Sequence, residues 1–307
     1  MRSIRPEPWA AAAALLIALA IPALFMKLRA DDLPPYGVIE FCRHESGETV
    51  EMSLEEYVAH LLAAYSELEL SDETMKALAC ALRTSALLSG GAPCGSAHCD
   101  DPAHSPEYSE NYGEREAMAV SETSGMVIVC KGALVPAAVH ISSYLVTRSG
   151  FSVSGVEIPC LMSVSTPEKI TPELLSVDDD RMKMTIEVNF GVTFDPGTDL
   201  INVVTDNGGR AEKVEFAGCA VDGSAFASAL GLASDCFTVE RESGGYTVTV
   251  YGSGHGLGLS VMGAEALSRE GYDHRQILAH YFTGSELVRA GSLQFGDLRR
   301  DPQSYRR

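Results

Sequence analysis

The sequence predicts a mixed α+β fold behind one N-terminal transmembrane helix, on three observations. Early in the chain, two apolar patterns recur at helical spacing behind serine caps. The middle changes to runs in which apolar and polar residues alternate. Near the end, four glycines crowd around one histidine and lead into a helical pair. Helices, then strands, then helices within 307 residues is the order of an α+β body.

Trp9 to Met26 carries no charge and is mostly Ala, Leu and Ile. At 1.5 Å per residue the run is about 27 Å long, close to the thickness of a bilayer core. It is expected to anchor the protein as a single pass, with residues 1–8 as a short cytoplasmic N-terminus; a cleaved signal peptide is the alternative. Arg2 and Arg5 precede the run and Lys27 and Arg29 follow it, so charge does not set its orientation. Ser53 and Glu56 have the spacing of a capping box and open a helix. In it Leu54, Tyr57, Val58, Leu61, Leu62 and Tyr65 share a face. Ser71 can cap a second helix, with Asp72 and Glu73 well placed in its first turn. That helix runs through Met75, Ala79 and Leu82 to a stop at Gly90-Gly91. A loop rich in Gly, Pro, Cys, His and Asp follows, and Met126 to Cys130 is a short apolar run. Met182, Met184, Ile186, Val188 and Phe190 alternate strictly with polar residues and predict a half-buried strand. Val214, Phe216 and Tyr246 to Tyr251 read the same way. A helix is expected from near Ser260 and another over His274 to Phe282. The folded body is expected to occupy residues 37–290, with 291–307 a polar tail.

The formal charge of −19 argues against nucleic acid as a partner, which needs clustered Lys and Arg to displace counterions. It suits a soluble extracytoplasmic domain but identifies no ligand. Eight cysteines are spread along the chain, which is no small disulfide scaffold, although an extracytoplasmic location would permit bridges. Cys80 within a helix reads as a buried small hydrophobe.

The most informative stretch is the glycine run, with Gly252, Gly254, Gly256 and Gly258 set about His255. Glycines so dense let the backbone take φ > 0 and approach a ligand or another segment closely. Ser260, Gly263, Ala264, Ile277, Leu278, His280, Tyr281 and Gly284 complete a longer pattern. Upstream stand Leu54-Glu55-Glu56-Tyr57-Val58, then Lys76-Ala77 with Arg83-Thr84, then Leu161 to Pro167, and Leu230-Gly231-Leu232 with Ser234 and Phe237. In this order these anchors resemble the stage II sporulation protein D family of peptidoglycan-acting proteins, over most of the chain.

The resemblance implies two lobes around an elongated groove, the bulk of the chain outside the cytoplasm around the forespore, and peptidoglycan glycan strands as the partner. Other sporulation cell-wall hydrolases are further expected partners. It places Lys76, Arg83, His140, His255 and Ser260 at the substrate. Catalytic members are lytic transglycosylases, in which one Glu protonates the glycosidic oxygen and the attacking hydroxyl then returns the proton. That Glu lies eight residues after the family's Tyr, and the ungapped count from Tyr57 lands on Tyr65. A phenol with a pKa of about 10 is a poor acid for this step. Glu67 is the fallback, through a shift of register. Leu78 and Val261 stand where the family has Gln, and Tyr144 and Leu145 where it has two glycines. These departures predict a binder or hydrolase-stimulating factor in place of an enzyme; a lytic transglycosylase using Glu67 and an envelope structural component are the alternatives. His140 and His255 can each be a ligand contact or a hydrogen-bonded structural residue. Some family members carry zinc on a Cys and a His-Cys pair in the loop that matches Cys94, His98, Cys99 and His104. A Cys94–Cys99 disulfide or free thiols would serve equally there.

Overall fold

The computed structural model describes residues 37–88, 98–100 and 108–290. The chain enters as an antiparallel pair, β1 (Val38–Cys42) and β2 (Thr49–Ser53). Ser53 ends β2 and caps α1 (Leu54–Ala63), its hydroxyl accepting from Glu56 N–H at 3.1 Å. A 3₁₀ turn at Ser66–Leu68 leads to α2 (Asp72–Leu88). The helix is buried on nearly every side, through Met75, Ala77, Leu78, Ala79, Cys80 and Ala81. Its small residues let α1 and the later helices approach closely.

β3 (His98–Cys99) adds to β1 in parallel, and α3 (Glu114–Glu122) packs on α1 and α2. β4 (Met126–Cys130), β5 (Ala133–Leu134), β6 (Val139–His140) and the short α4 (Gly150–Ser154) follow. The chain then leaves this core. Residues 173–250 build a second one from β7 (Glu173–Asp178), α5 (Asp179–Phe190), β8 (Asn202–Thr205), β9 (Ala211–Phe216), β10 (Cys219–Asp222), α6 (Gly223–Leu230), β11 (Phe237–Glu242) and β12 (Gly245–Val250). Its two antiparallel sheets run β11-β12-β7 and β10-β9-β8, over a core of Phe194, Phe216, Phe226 and Phe237. The chain then returns through β13 (Leu259–Ser260), parallel to β6, into α7 (Val261–Arg269), α8 (His274–Tyr281) and β14 (Glu286–Arg289), which pairs with β4. The second lobe is thus an insertion in the first.

Two expectations are corrected. The mixed helix and sheet body stands, but no helix among the described residues is long and apolar enough to cross a membrane. The run from Trp9 to Met26 lies outside the described residues, as do residues 1–8 and the tail 291–307, and what the described residues form is an α+β body. The strand expected over Met182 to Phe190 is α5. Asp178 caps it, Asp179 and Asp180 fill its first turn, and Gly191 in the left-handed region ends it. Met182 and Ile186, one turn apart, are buried, while Met184 and Val188 are 60% and 75% exposed. An i, i+4 pair hidden in a period-2 pattern had the look of a strand.

Candidate functional site

The glycine run forms the segment between β12 and β13. Gly252, Gly254, Gly256 and Gly258 all have positive φ, from 72° to 98°. At all four the lack of a Cβ is also a packing requirement, since a Cβ on Gly252 would meet the Ser142 carbonyl and one on Gly258 the Ala138 carbonyl. A Cβ on Gly254 would sit 2.9 Å from the His140 Cβ, and one on Gly256 would overlap the Arg210 guanidinium. The segment is therefore pressed against the β6 strand and its following loop. Ser142 and Ser253 exchange backbone hydrogen bonds at 3.0 and 2.9 Å, and Arg148 N–H donates to the Gly256 carbonyl at 2.7 Å.

Both histidines serve this packing. The Leu257 carbonyl can only accept, so His140 donates to it from Nδ1 at 3.1 Å. Its neutral Nε2 then accepts the Ser143 hydroxyl at 2.6 Å. His140 is 4% exposed, and burial, then His255 and Arg210, hold its pKa well below the usual range. His255 Nδ1 accepts the Leu257 N–H at 3.1 Å. Burial and the Arg210 guanidinium lower its pKa to about 4, against a backbone hydrogen bond at Val139. Arg210 is paired with Asp235, which Arg148 also reaches at 3.1 Å.

Ser260, fully buried, caps α7 and donates to Glu168 Oε1 at 2.6 Å. The same oxygen accepts Ser143 N–H at 2.9 Å, and Oε2 accepts the Thr166 hydroxyl, which lies 3.3 Å from the Tyr281 hydroxyl. Gly263 is the position where these groups converge, and a Cβ there would overlap Tyr281, Glu168 and Thr166. Glu168 and Thr166, both partly exposed, are the members of this network that face outward. The structure so brings His140, His255 and Ser260 together with Glu168, which the sequence reading missed. The signal was one residue beyond a matched motif, after Ser165-Thr166-Pro167.

The other expected site residues lie apart from it. Arg83 is fully buried and bonds Glu55 Oε2 at 2.6 Å, the Met126 carbonyl at 3.1 Å, and the carbonyls of Ala79 and Val120. Those bonds tie α2 to α1, α3 and β4 and leave the guanidinium no free face for a sugar. Lys76 sits 2.6 Å from Glu122 and 2.9 Å from Glu73, and both raise its pKa. Tyr65 is 6% exposed and belongs to the first core, and Glu67 is exposed on the 3₁₀ turn after it. Leu78 and Val261, where polar groups were expected, have no exposure at all.

For zinc, His98 has the chemistry of a ligand. It is 3% exposed, stacks on Tyr57 at 4.9 Å, and neither ring nitrogen has a hydrogen-bond partner among the described residues. Burial lowers its pKa to about 4, which keeps it neutral, the form that binds metal. Cys99 follows it in β3, whereas Cys94 and His104 lie outside the described residues. Among the described residues no group of three or more His, Cys, Asp or Glu could hold a metal ion.

The family model described as Stage II sporulation protein matches residues 43–130. Stage II sporulation protein D of Bacillus amyloliquefaciens is 26% identical over 275 residues, covering 81% of this chain and 78% of that protein. The protein of the same name from Bacillus subtilis (strain 168) is 26% identical over 261 residues, covering 78% and 76%. The family match and the two relatives together support placing the chain in the stage II sporulation protein D family. These findings support a divergent member of that family and a sporulation protein. The relatives extend far beyond the residues of the family model, across both cores. Within that frame, the position where the resemblance puts an acid holds a core tyrosine, and the glycine segment is kept with its packing partners.

Proposed function

We propose that this protein engages peptidoglycan glycan strands without cleaving them, and positions or stimulates partner cell-wall hydrolases. The observation that carries this reading is Tyr65. Lytic cleavage needs a carboxylic acid aimed at the glycosidic oxygen, and here the position is a phenol packed in the core at 6% exposure. Glu67 stands on the exposed 3₁₀ turn outside that core. The carboxyl near the glycine segment, Glu168, is tied up by Ser143 N–H and the Ser260 hydroxyl on one oxygen and by the Thr166 hydroxyl on the other.

What remains intact is the rigid frame: the glycine segment, the two neutral histidines and the Arg210–Asp235 pair. A preformed surface of this kind binds without a large ordering cost. The extracytoplasmic placement that such a ligand demands is supported by the Cys130–Cys160 disulfide, a bond of oxidising compartments. Incubating the full-length protein with purified, peptide-free glycan strands tests the reading. Cosedimentation without release of 1,6-anhydro products is expected; failure to bind the strands would overturn it.

A further inference from the structure

The second lobe carries chemistry that the site above does not use. Residues 173–250 hold fourteen Asp and Glu against five Lys and Arg, a formal charge of −9 and about half that of the whole chain. On this acidic lobe a small open cleft of about 40 Å³ is lined by Asp199, Leu200, Ile201, Val239, Arg241 and Tyr246. Tyr246 is 3% exposed, and its hydroxyl has no hydrogen-bond partner among the described residues. A buried phenol left without a partner costs stability, which marks it as waiting for a polar group.

The charges decide which group. Arg241 lies over the Tyr246 ring at 4.6 Å, but its Nη1 is committed to Asp179 at 2.5 Å and the Gly245 carbonyl at 2.6 Å, and its Nη2 to Asp179 at 3.2 Å. With that cation neutralised, Asp199 sets the sign of the cleft. One of its oxygens accepts the Asp195 N–H at 2.8 Å. Leu200, Ile201 and Val239 supply apolar walls, and Leu200, 79% exposed, has the least packing to lose if the cleft widens. Apolar walls ending in a carboxylate and a neutral hydroxyl match a methylene stem that ends in a cation.

We propose that this cleft binds the ammonium end of an aliphatic side chain carried on a peptide, that of a lysine or diamino acid residue. The methylenes lie along Leu200, Ile201 and Val239, and the ammonium donates to Asp199 and to the Tyr246 hydroxyl. The inference rests on the peptidoglycan reading, since the peptides of that polymer carry amine-bearing residues. The insertion would then read peptide while the glycine segment faces glycan.

The test is calorimetric titration of the full-length protein with an end-blocked tripeptide containing one lysine, beside the same peptide acetylated on the lysine Nε. The lysine peptide is expected to bind at least tenfold more tightly, and Asp199→Asn and Tyr246→Phe are each expected to remove that preference. Tyr246→Phe is expected to leave the Tm unchanged or raise it, because the lost hydroxyl has no protein partner among the described residues. Equal binding of the two peptides, or no binding of either, would overturn the proposal. So would a Tyr246→Phe protein with a lower Tm and unchanged peptide binding, because the hydroxyl would then be serving an internal water. Binding of peptide-free glycan strands, measured on the same samples, separates this result from the parent reading. Strands bound without lysine preference sink the cleft alone, and lysine preference without strand binding sinks the glycan reading alone.

Discussion

Leu145 sits at a φ of 61° and is 55% exposed, at a position where the family resemblance expects glycine. The backbone kept the left-handed conformation after the residue that favours it was lost. A non-glycine residue there costs about 1–2 kcal/mol, and glycine gives back about 0.4–1 kcal/mol through the entropy of the unfolded chain. Leu145→Gly is therefore expected to stabilise the protein by about 0–1.6 kcal/mol, a rise of a few degrees at most in a thermal melt. A fall in Tm would mean that the exposed leucine makes a contact worth more than its strain. The histidines make a second case. His98 and His255 have folded-state pKa values lowered to about 4, and that of His140 is lowered well below 6.5. Their burial as neutral groups favours the fold fully only above the unfolded value of 6.5, and is lost as pH falls toward 4. Unfolding free energy is expected to decline from pH 6.5 to 4.5, before the carboxylates titrate, and His255→Asn should flatten that decline. A flat profile in wild type would contradict the neutral assignment. Neither histidine of the glycine site could have been assigned to packing from sequence, because the Leu257 carbonyl and N–H that hold them are backbone groups with no residue signature.

Elements divide by whether their local signals agree. For α1 the serine cap, the acidic first turn and the helical period pointed the same way, and the helix is where it was expected. For α5 the alternation alone was read, as a strand, and the caps Asp178 and Gly191 seen in the structure are those of a helix. Over only nine residues the two spacings overlap, so period alone could not separate helix from strand. The helical assignment has a distinct mutational pattern. Ile186→Ala is expected to cost about 2–5 kcal/mol, while Met184→Lys stays within about 0.5 kcal/mol. A strand would put both on one face and make both costly, which denaturant melts of the two variants would show. The helix start after Ser71 was read correctly, but the Ser71 hydroxyl donates to Glu265 at 2.8 Å and lies 2.7 Å from the Ser268 hydroxyl, joining α2 to α7. A partner 194 residues away is invisible to local pattern.

At the scale of the molecule, the sequence showed helices at both ends and strands between, but not that residues 173–250 form an inserted second core. Which distant runs share a core is decided by tertiary pairing, as where β14 returns to β4. One covalent link closes part of the first lobe, Cys130–Cys160 across 30 residues. The chain-entropy relation gives such a loop about 3–4 kcal/mol, so reduction is expected to lower the denaturation midpoint clearly without changing the fold. An unchanged midpoint would remove the bond from the stability account and weaken the extracytoplasmic placement. The central claim is that the family frame persists here without its acid. Mass spectrometry of the soluble products released from peptide-free glycan strands tests it most directly, with wild type and Glu67→Gln run side by side. The expected result is bound strands and no 1,6-anhydro ends with either protein. Anhydro products from wild type that vanish in Glu67→Gln would show the acid two residues from where the core tyrosine stands, and the protein would be an enzyme.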